Sequence, residues 1–197
     1  PEGSASRRGL GPAKGTVKAQ IATHRTSGGD LQRVGLRSYA LRVVFSPEHM
    51  VIHAHDEAVV VAVWENVLVQ YRRGPMTEAM LSHIASLVRA TNAKRTGPAG
   101  ALSLLDEAAP VPDASMRRRQ SEVIGALMKD GRNHVAVVTA GQGIASSMMR
   151  SVARLLYRGT GRVTVVGTDE EAISWLAERV GRERSDLSAF AQHVRAL

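Results

Sequence analysis

The segment Ala101–Glu122 reads ALSLLDEAAPVPDASMRRRQSE. Its first five residues are a short apolar run of strand length. Pro110 and Pro112 bound a turn, and Asp113 or Ser115 can cap a helix that carries Arg117–Arg119 at its start. A buried strand that leads through a turn into a helix is half of a strand–helix–strand unit. The neighbouring sequence supplies the rest.

After it, Met116, Val123, Ile124, Leu127 and Met128 fall on one helical face, and Gly131 ends the helix. His134–Thr139 (HVAVVT) reads as a buried strand. Gly141-Gln142-Gly143 opens a helix with Ile144, Met148, Val152, Leu155 and Leu156 at helical spacing. Arg162–Val166 (RVTVV) is the last strand, and Thr168 with Glu171 forms a capping box for a helix that buries Ile173, Leu176 and Val180.

Before it, Glu57–Val63 (EAVVVAV) and Val67–Arg73 (VLVQYRR) lie either side of Trp64-Glu65-Asn66, a spacing that implies an antiparallel hairpin. Thr77 caps a helix with Met80, Leu81, Ile84, Leu87 and Val88 in one stripe, closed by Gly97-Pro98. Ser38–Phe45 (SYALRVVF) alternates and is read as an added edge strand. The fold class expected is therefore α/β: a mostly parallel sheet of about five strands, an antiparallel N-terminal hairpin edge and four helices. Residues 183–197 add an amphipathic helix with Leu187, Phe190, Ala191, Val194 and Leu197 in its stripe. It is expected to pack on its own domain, with a homodimer contact as the alternative.

Composition narrows the function classes. The chain has 197 residues, 44% hydrophobic, 4% aromatic and without cysteine. Thiol nucleophiles, thiolate metal sites and disulfides are excluded, which fits a reducing cytoplasm. The longest strongly apolar run, Ala58–Val63, is too short to span a membrane. Net charge is +8, with eight Lys and Arg against three Asp and Glu in residues 1–49, and eighteen against fifteen in residues 50–197. The basicity belongs to the first part, which lacks any sustained period and reads as a disordered or loosely attached extension. Nucleic acid is not an expected partner for the remainder, and a basic-tail nucleic-acid binder is the third functional reading. Met50 precedes the first well-patterned segment and is a candidate start of translation.

Candidate sites lie in the loops after the parallel strands, where helix N-termini leave amides free. Gly141, Gln142 and Gly143 form a candidate anion-binding turn, without the third glycine of a dinucleotide fingerprint and without the Gly-Lys-Ser/Thr of a P-loop. Asp106-Glu107 is a paired-carboxylate candidate, although adjacent strand residues diverge. No Gly-x-Ser-x-Gly elbow occurs. His53-x-His55 has metal-ligand character but reads better as surface histidines, and no metal or cofactor is expected.

This order of elements, over roughly residues 50–182, resembles the STAS domain, the fold of bacterial anti-sigma-factor antagonists. The resemblance implies a non-catalytic regulatory domain that binds a protein partner, a kinase or anti-sigma-like protein. It also implies a phospho-acceptor in an Asp-Ser-Ser/Thr-Gly motif at the central strand's exit. Here that stretch is Leu104-Leu105-Asp106-Glu107-Ala108-Ala109-Pro110. Asp106 matches, Glu107 stands in the acceptor's place, no glycine follows, and Ser115 is a displaced candidate. The partner surface expected is Asp106, Glu107, Asp113, Ser115 and Arg117. The alternative is a small apolar or lipid-like ligand, for which Met116, Met128, Met148 and Met149 would suit an adaptable pocket.

Overall fold

The computed structural model describes residues 44–139, 147, 150, 151 and 161–197. The chain divides into two units, Pro1–Ala40 and Leu41–Leu197, and all described residues belong to the second. Of the third expected helix only Ser147, Arg150 and Ser151 are described, and all three are helical; the Gly141-Gln142-Gly143 turn, Met148 and Met149 lie outside the described residues.

Six strands form one sheet in sequence order: β1 (Val51–His55), β2 (Val59–Trp64), β3 (Val67–Arg72), β4 (Ala99–Leu105), β5 (Asn133–Thr139) and β6 (Val163–Val166). β1, β2 and β3 are joined by antiparallel ladders, whereas β3 through β6 run parallel. The described helices are α1 (Glu78–Ala93), α2 (Ala114–Met128), α3 (Asp169–Val180) and α4 (Arg184–Ala196).

The strands form where β-branched runs meet turn residues. Trp64 pairs with Val67, so Glu65 and Asn66 are a two-residue hairpin loop with Glu65 at φ 53°. Asn66 locks that loop to the rest of the fold. Its Nδ2 donates to the carbonyls of Pro98 (2.7 Å) and Val180 (3.1 Å), and its Oδ1 accepts from Arg182 Nε (2.7 Å). Helix starts follow the expected chemistry: Thr77 accepts from the Met80 amide, Asp113 from Met116 and Thr168 from Glu171. Gly181, at φ 66°, ends α3 in the left-handed conformation.

Of the added strand expected over Ser38–Phe45, residues 38–43 lie outside the described residues, and Val44 and Phe45 are not in a strand. The edge of the described sheet is Val51–His55, a strand not expected from the sequence. A register shift between Ile52 and Ala54 makes His53 a bulge. The bulge sends the two histidines apart. The His53 ring lies 6.5 Å from that of His83 on α1, whereas His55 Nε2 donates to the Leu197 main-chain oxygen (2.9 Å). Phe45 works as a plug, edge-on to Trp64 (5.4 Å between centroids) and stacked near Phe190 (5.3 Å).

Strand alternation sorts side chains onto two faces. One face carries Val60, Ala62, Trp64, Val67, Val69, Leu102, Leu104, Ala136 and Val138 beneath α3 and α4, whose Ile173, Leu176, Val180, Leu187, Phe190 and Val194 are all buried. The terminal helix thus packs against its own sheet, through contacts to β2 and β3. The opposite face lies beneath α1 and α2. There α2 buries only Met128 fully.

Candidate functional site

A cavity of about 150 Å³ lies between the sheet and the paired helices α1 and α2. Leu68, Ala101 and Leu105 line it from the sheet, Leu81, Ile84 and Val88 from α1, and Val123, Ile124 and Leu127 from α2. Its walls are overwhelmingly aliphatic. At the end marked by the starts of the parallel strands, a polar network closes it. Asn92 Nδ2 donates to Asn133 Oδ1 (2.9 Å) and Asp130 Oδ2 (3.1 Å), Asn133 Nδ2 donates to the Leu127 carbonyl (2.6 Å), and Arg132 Nε donates to Asp130 Oδ1 (2.7 Å). At the other end the lining comes from Met76, from Val111 and Pro112 of the β4–α2 connection, and from Arg117 in the first turn of α2.

Polar side chains enter this apolar space from β3, because every second residue points the same way: Leu68, Gln70 and Arg72 share the cavity face. Gln70 Nε2 donates to Ser103 Oγ of the adjoining strand, its register partner, at 2.5 Å. Among the described residues, Gln70 Oε1 is buried without a hydrogen-bond partner. Arg72 is only 2% exposed. Its Nη1 donates to the carbonyls of Gly74 (2.9 Å) and Pro110 (3.4 Å), and its Nε makes no hydrogen bond. Burial pulls the Arg72 guanidinium below its ordinary value. Among the described residues no carboxylate pairs with it.

The five residues expected to meet a partner are not one cluster. Asp106 turns to the α3/α4 side, where Tyr71 OH donates to its Oδ2 (2.5 Å). Its Oδ1 accepts from the Ala108 amide (2.9 Å). The Tyr71 hydroxyl, with help from the Ala108 amide, holds the Asp106 carboxyl below the usual aspartate value. Arg73 and Arg195 flank the Tyr71 ring at 5.4 and 5.1 Å, and Arg195 is in turn bidentate to Asp169 (2.8 and 3.0 Å). Glu107 is exposed in the turn. Asp113 accepts from the Met116 amide (2.8 Å) and from Ser115 Oγ (2.7 Å), so both residues serve the helix start. Arg117 lines the cavity on the other side of the sheet and donates to the Pro112 carbonyl (2.7 Å). Asp106 and Glu107 both lie beyond the end of β4, where strand alternation no longer applies, and Asp106 is engaged by Tyr71 and the Ala108 amide.

Of the methionines expected around an adaptable pocket, Met128 lines the cavity, and Met76 joins it. Arg72 was not among the expected site residues. Its signal is in the sequence nonetheless: in Val67–Arg72 (VLVQYR) the apolar residues fall on both alternating sets, so both faces are covered and Gln70 and Arg72 must share one of them. No group of three or more His, Asp or Glu among the described residues is placed to hold a metal ion. No described helix is long and apolar enough to cross a membrane.

No protein-family model matches the chain, and no curated protein matches it. Among solved structures, it is similar to an uncharacterized protein of the DUF3478 family from Shewanella loihica PV-4, described as having a SpoIIAA-like fold. Identity is 18%, the match covers 64% of this chain and 91% of that one, and the TM-score is 0.39.

Proposed function

We propose that this chain is a non-catalytic regulatory domain that holds a small apolar molecule between its sheet and the α1/α2 pair. The cavity carries this reading: aliphatic side chains from two helices and three strands surround a space comparable to those that hold a benzene-sized guest. Mass spectrometry of the freshly purified chain under native conditions tests it. A retained mass that is lost on denaturation supports the reading. A bare mass, together with no thermal shift on adding small apolar compounds, refutes it.

A protein partner at the β4–α2 connection is the second reading, and Val111 favours it. This residue is 46% exposed, large and apolar, and lies between Glu107 and Arg117. The same connection supplies Val111 and Pro112 to the cavity, and the α2 start that follows supplies Arg117. A guest inside would thus touch the segment a partner outside would meet, which gives the domain a route from ligand to partner. Replacing Glu107 and Arg117 together should weaken capture of that partner in pull-down. Capture as strong as for the unaltered chain would move the partner surface elsewhere.

A further inference from the structure

Arg72 is the least expected occupant of the α1/α2 layer. An ion removed from water is retained when something neutralises it, and a guanidinium asks for a carboxylate or phosphate in the plane of its fork. Among the described residues no carboxylate pairs with Arg72: Glu57 and Glu107 are exposed, and four other acids are engaged elsewhere. Asp106 accepts from Tyr71 on the opposite face, Asp113 caps α2, Glu78 pairs with Arg119 (3.3 Å), and Asp56 accepts from the amides of Ala58 and Val59. The sequence between Thr139 and Gly161 contains no Asp or Glu at all, so the β5–β6 crossover has no carboxylate to offer.

The geometry around the group is that of a prepared site. Both carbonyls that hold Arg72 are taken by Nη1, and among the described residues its Nε is buried without a hydrogen-bond partner, so a carboxylate meets that edge only when the side chain or its cover shifts. Arg117 lines the same end of the cavity and is anchored by the carbonyl of Pro112, two residues from the Pro110 carbonyl that holds Arg72. From the level of Arg72 the aliphatic lining continues along β4 from Leu105 to Gly100. Five residues of strand span about 16 Å. A positive end and a long apolar body describe the complement of an amphipathic acid.

We propose that the cavity takes an aliphatic carboxylate, its head group on the Nε edge of Arg72 and its chain under α1 and α2. This rests on the apolar-ligand reading and specifies the guest's chemistry. Arg72 acts as the counter-ion, Arg117 adds positive potential at the same end, and the guest's chain fills the space between Leu68, Ile84 and Ile124.

The test is an amide NMR titration of the full chain at neutral pH with octanoate, 1-octanol and octylammonium, each below its aggregation concentration. Octanoate should bind about tenfold more tightly than octanol, with octylammonium weakest, and should shift the amides of β3, α1 and α2. Arg72→Met should abolish the preference while keeping octanol binding. Arg72→Lys should retain only part of it, because a point charge replaces a fork. Octanol binding as well as octanoate in the unaltered chain overturns the carboxylate assignment and leaves the apolar cavity standing. Shifts confined to exposed residues, or no binding by any of the three, overturn both. The comparison in the unaltered chain decides even where Arg72→Met does not fold.

Discussion

The two faces of the sheet are built from the same strands, yet they differ in kind. Beneath α3 and α4, Trp64, Leu176, Leu187 and Phe190 are almost wholly shielded and join the strand residues in one buried cluster. Beneath α1 and α2 the strands present Gln70, Arg72 and Ser103 among aliphatic residues, a cavity remains, and α2 buries a single side chain completely. The first face follows the rule that interiors are close-packed. The second departs from it where polar groups and empty space coincide. Departures of that sort mark sites at which stability has been traded for function. On the proposed function, stability and binding fall on opposite sides of one sheet.

Truncations should expose the contrast most strongly. Phe190→Ala removes a ring that touches both Phe45 and Trp64 and should destabilise by about 3–5 kcal/mol. Ile124→Ala, on the cavity side, should lose less than about 1 kcal/mol, since its site is already partly empty. Urea unfolding of the two variants measures the difference. Equal losses would mean that the α1/α2 face is packed as tightly as the other and the contrast is false.

How much of this contrast the sequence contains can be argued residue by residue. The strands from Val59 onward, the hairpin tip at Glu65-Asn66, the caps at Thr77, Asp113 and Thr168 and the stripe of α4 were legible, because each depends on local periodicity or local hydrogen bonding. Val51–His55 was not read as a strand, because two histidines interrupt its apolar pattern and the bulge at His53 breaks its period. The stripe of α2 predicted a buried face, and the residues do point inward, but a stripe reports direction and says nothing of how well the space is filled. The same limit hid Arg72. Periodicity could place it on a covered face, but whether an acid waits there depends on where Asp106 turns, and that is decided by Tyr71, 35 residues earlier.

Arg72 offers a sharper break. If the guanidinium is held there for a guest, removing it should help an empty protein. Arg72→Met fills the same space with an apolar chain and should stabilise the unliganded domain by about 1–3 kcal/mol, even with the Gly74 and Pro110 hydrogen bonds lost. Denaturant unfolding checks it. A large destabilisation would instead make Arg72 a structural clamp of the β4–α2 connection.

Neighbouring residues of β4 test the two faces at single-methyl scale. A Cβ at Gly100 would meet Val180 Cγ1 at 3.0 Å and Leu176 Cδ1 at 3.1 Å on the tight side. Gly100→Ala should therefore destabilise by about 1–2 kcal/mol through crowding. Ala101 faces the cavity, and Ala101→Val should be neutral or stabilising by up to about 1 kcal/mol. Thermal unfolding of the pair reads opposite signs if the packing asymmetry is real, and the same sign if it is not.

The smallest effect concerns pH and belongs to the tight face. His134 opens β5 with its ring edge-on to Trp175 at 6.1 Å. Burial, and then the charges of Arg179 and Arg162, lower its pKa from the ordinary 6.5. The unfolded chain therefore binds a proton before the folded one does. Stability should be constant above the unfolded value and fall as pH drops from about 7 through the lowered folded value, where the loss levels off. His53 contributes in the same direction from the α1 side, through burial and then the charges of His83 and Lys94. Replacing His134 by Gln should flatten the slope of unfolding free energy against pH in that window and leave the His53 part in place. An unchanged slope would show that the imidazole is solvated in the folded domain, and that the strand's entry to the tight face is looser than its middle.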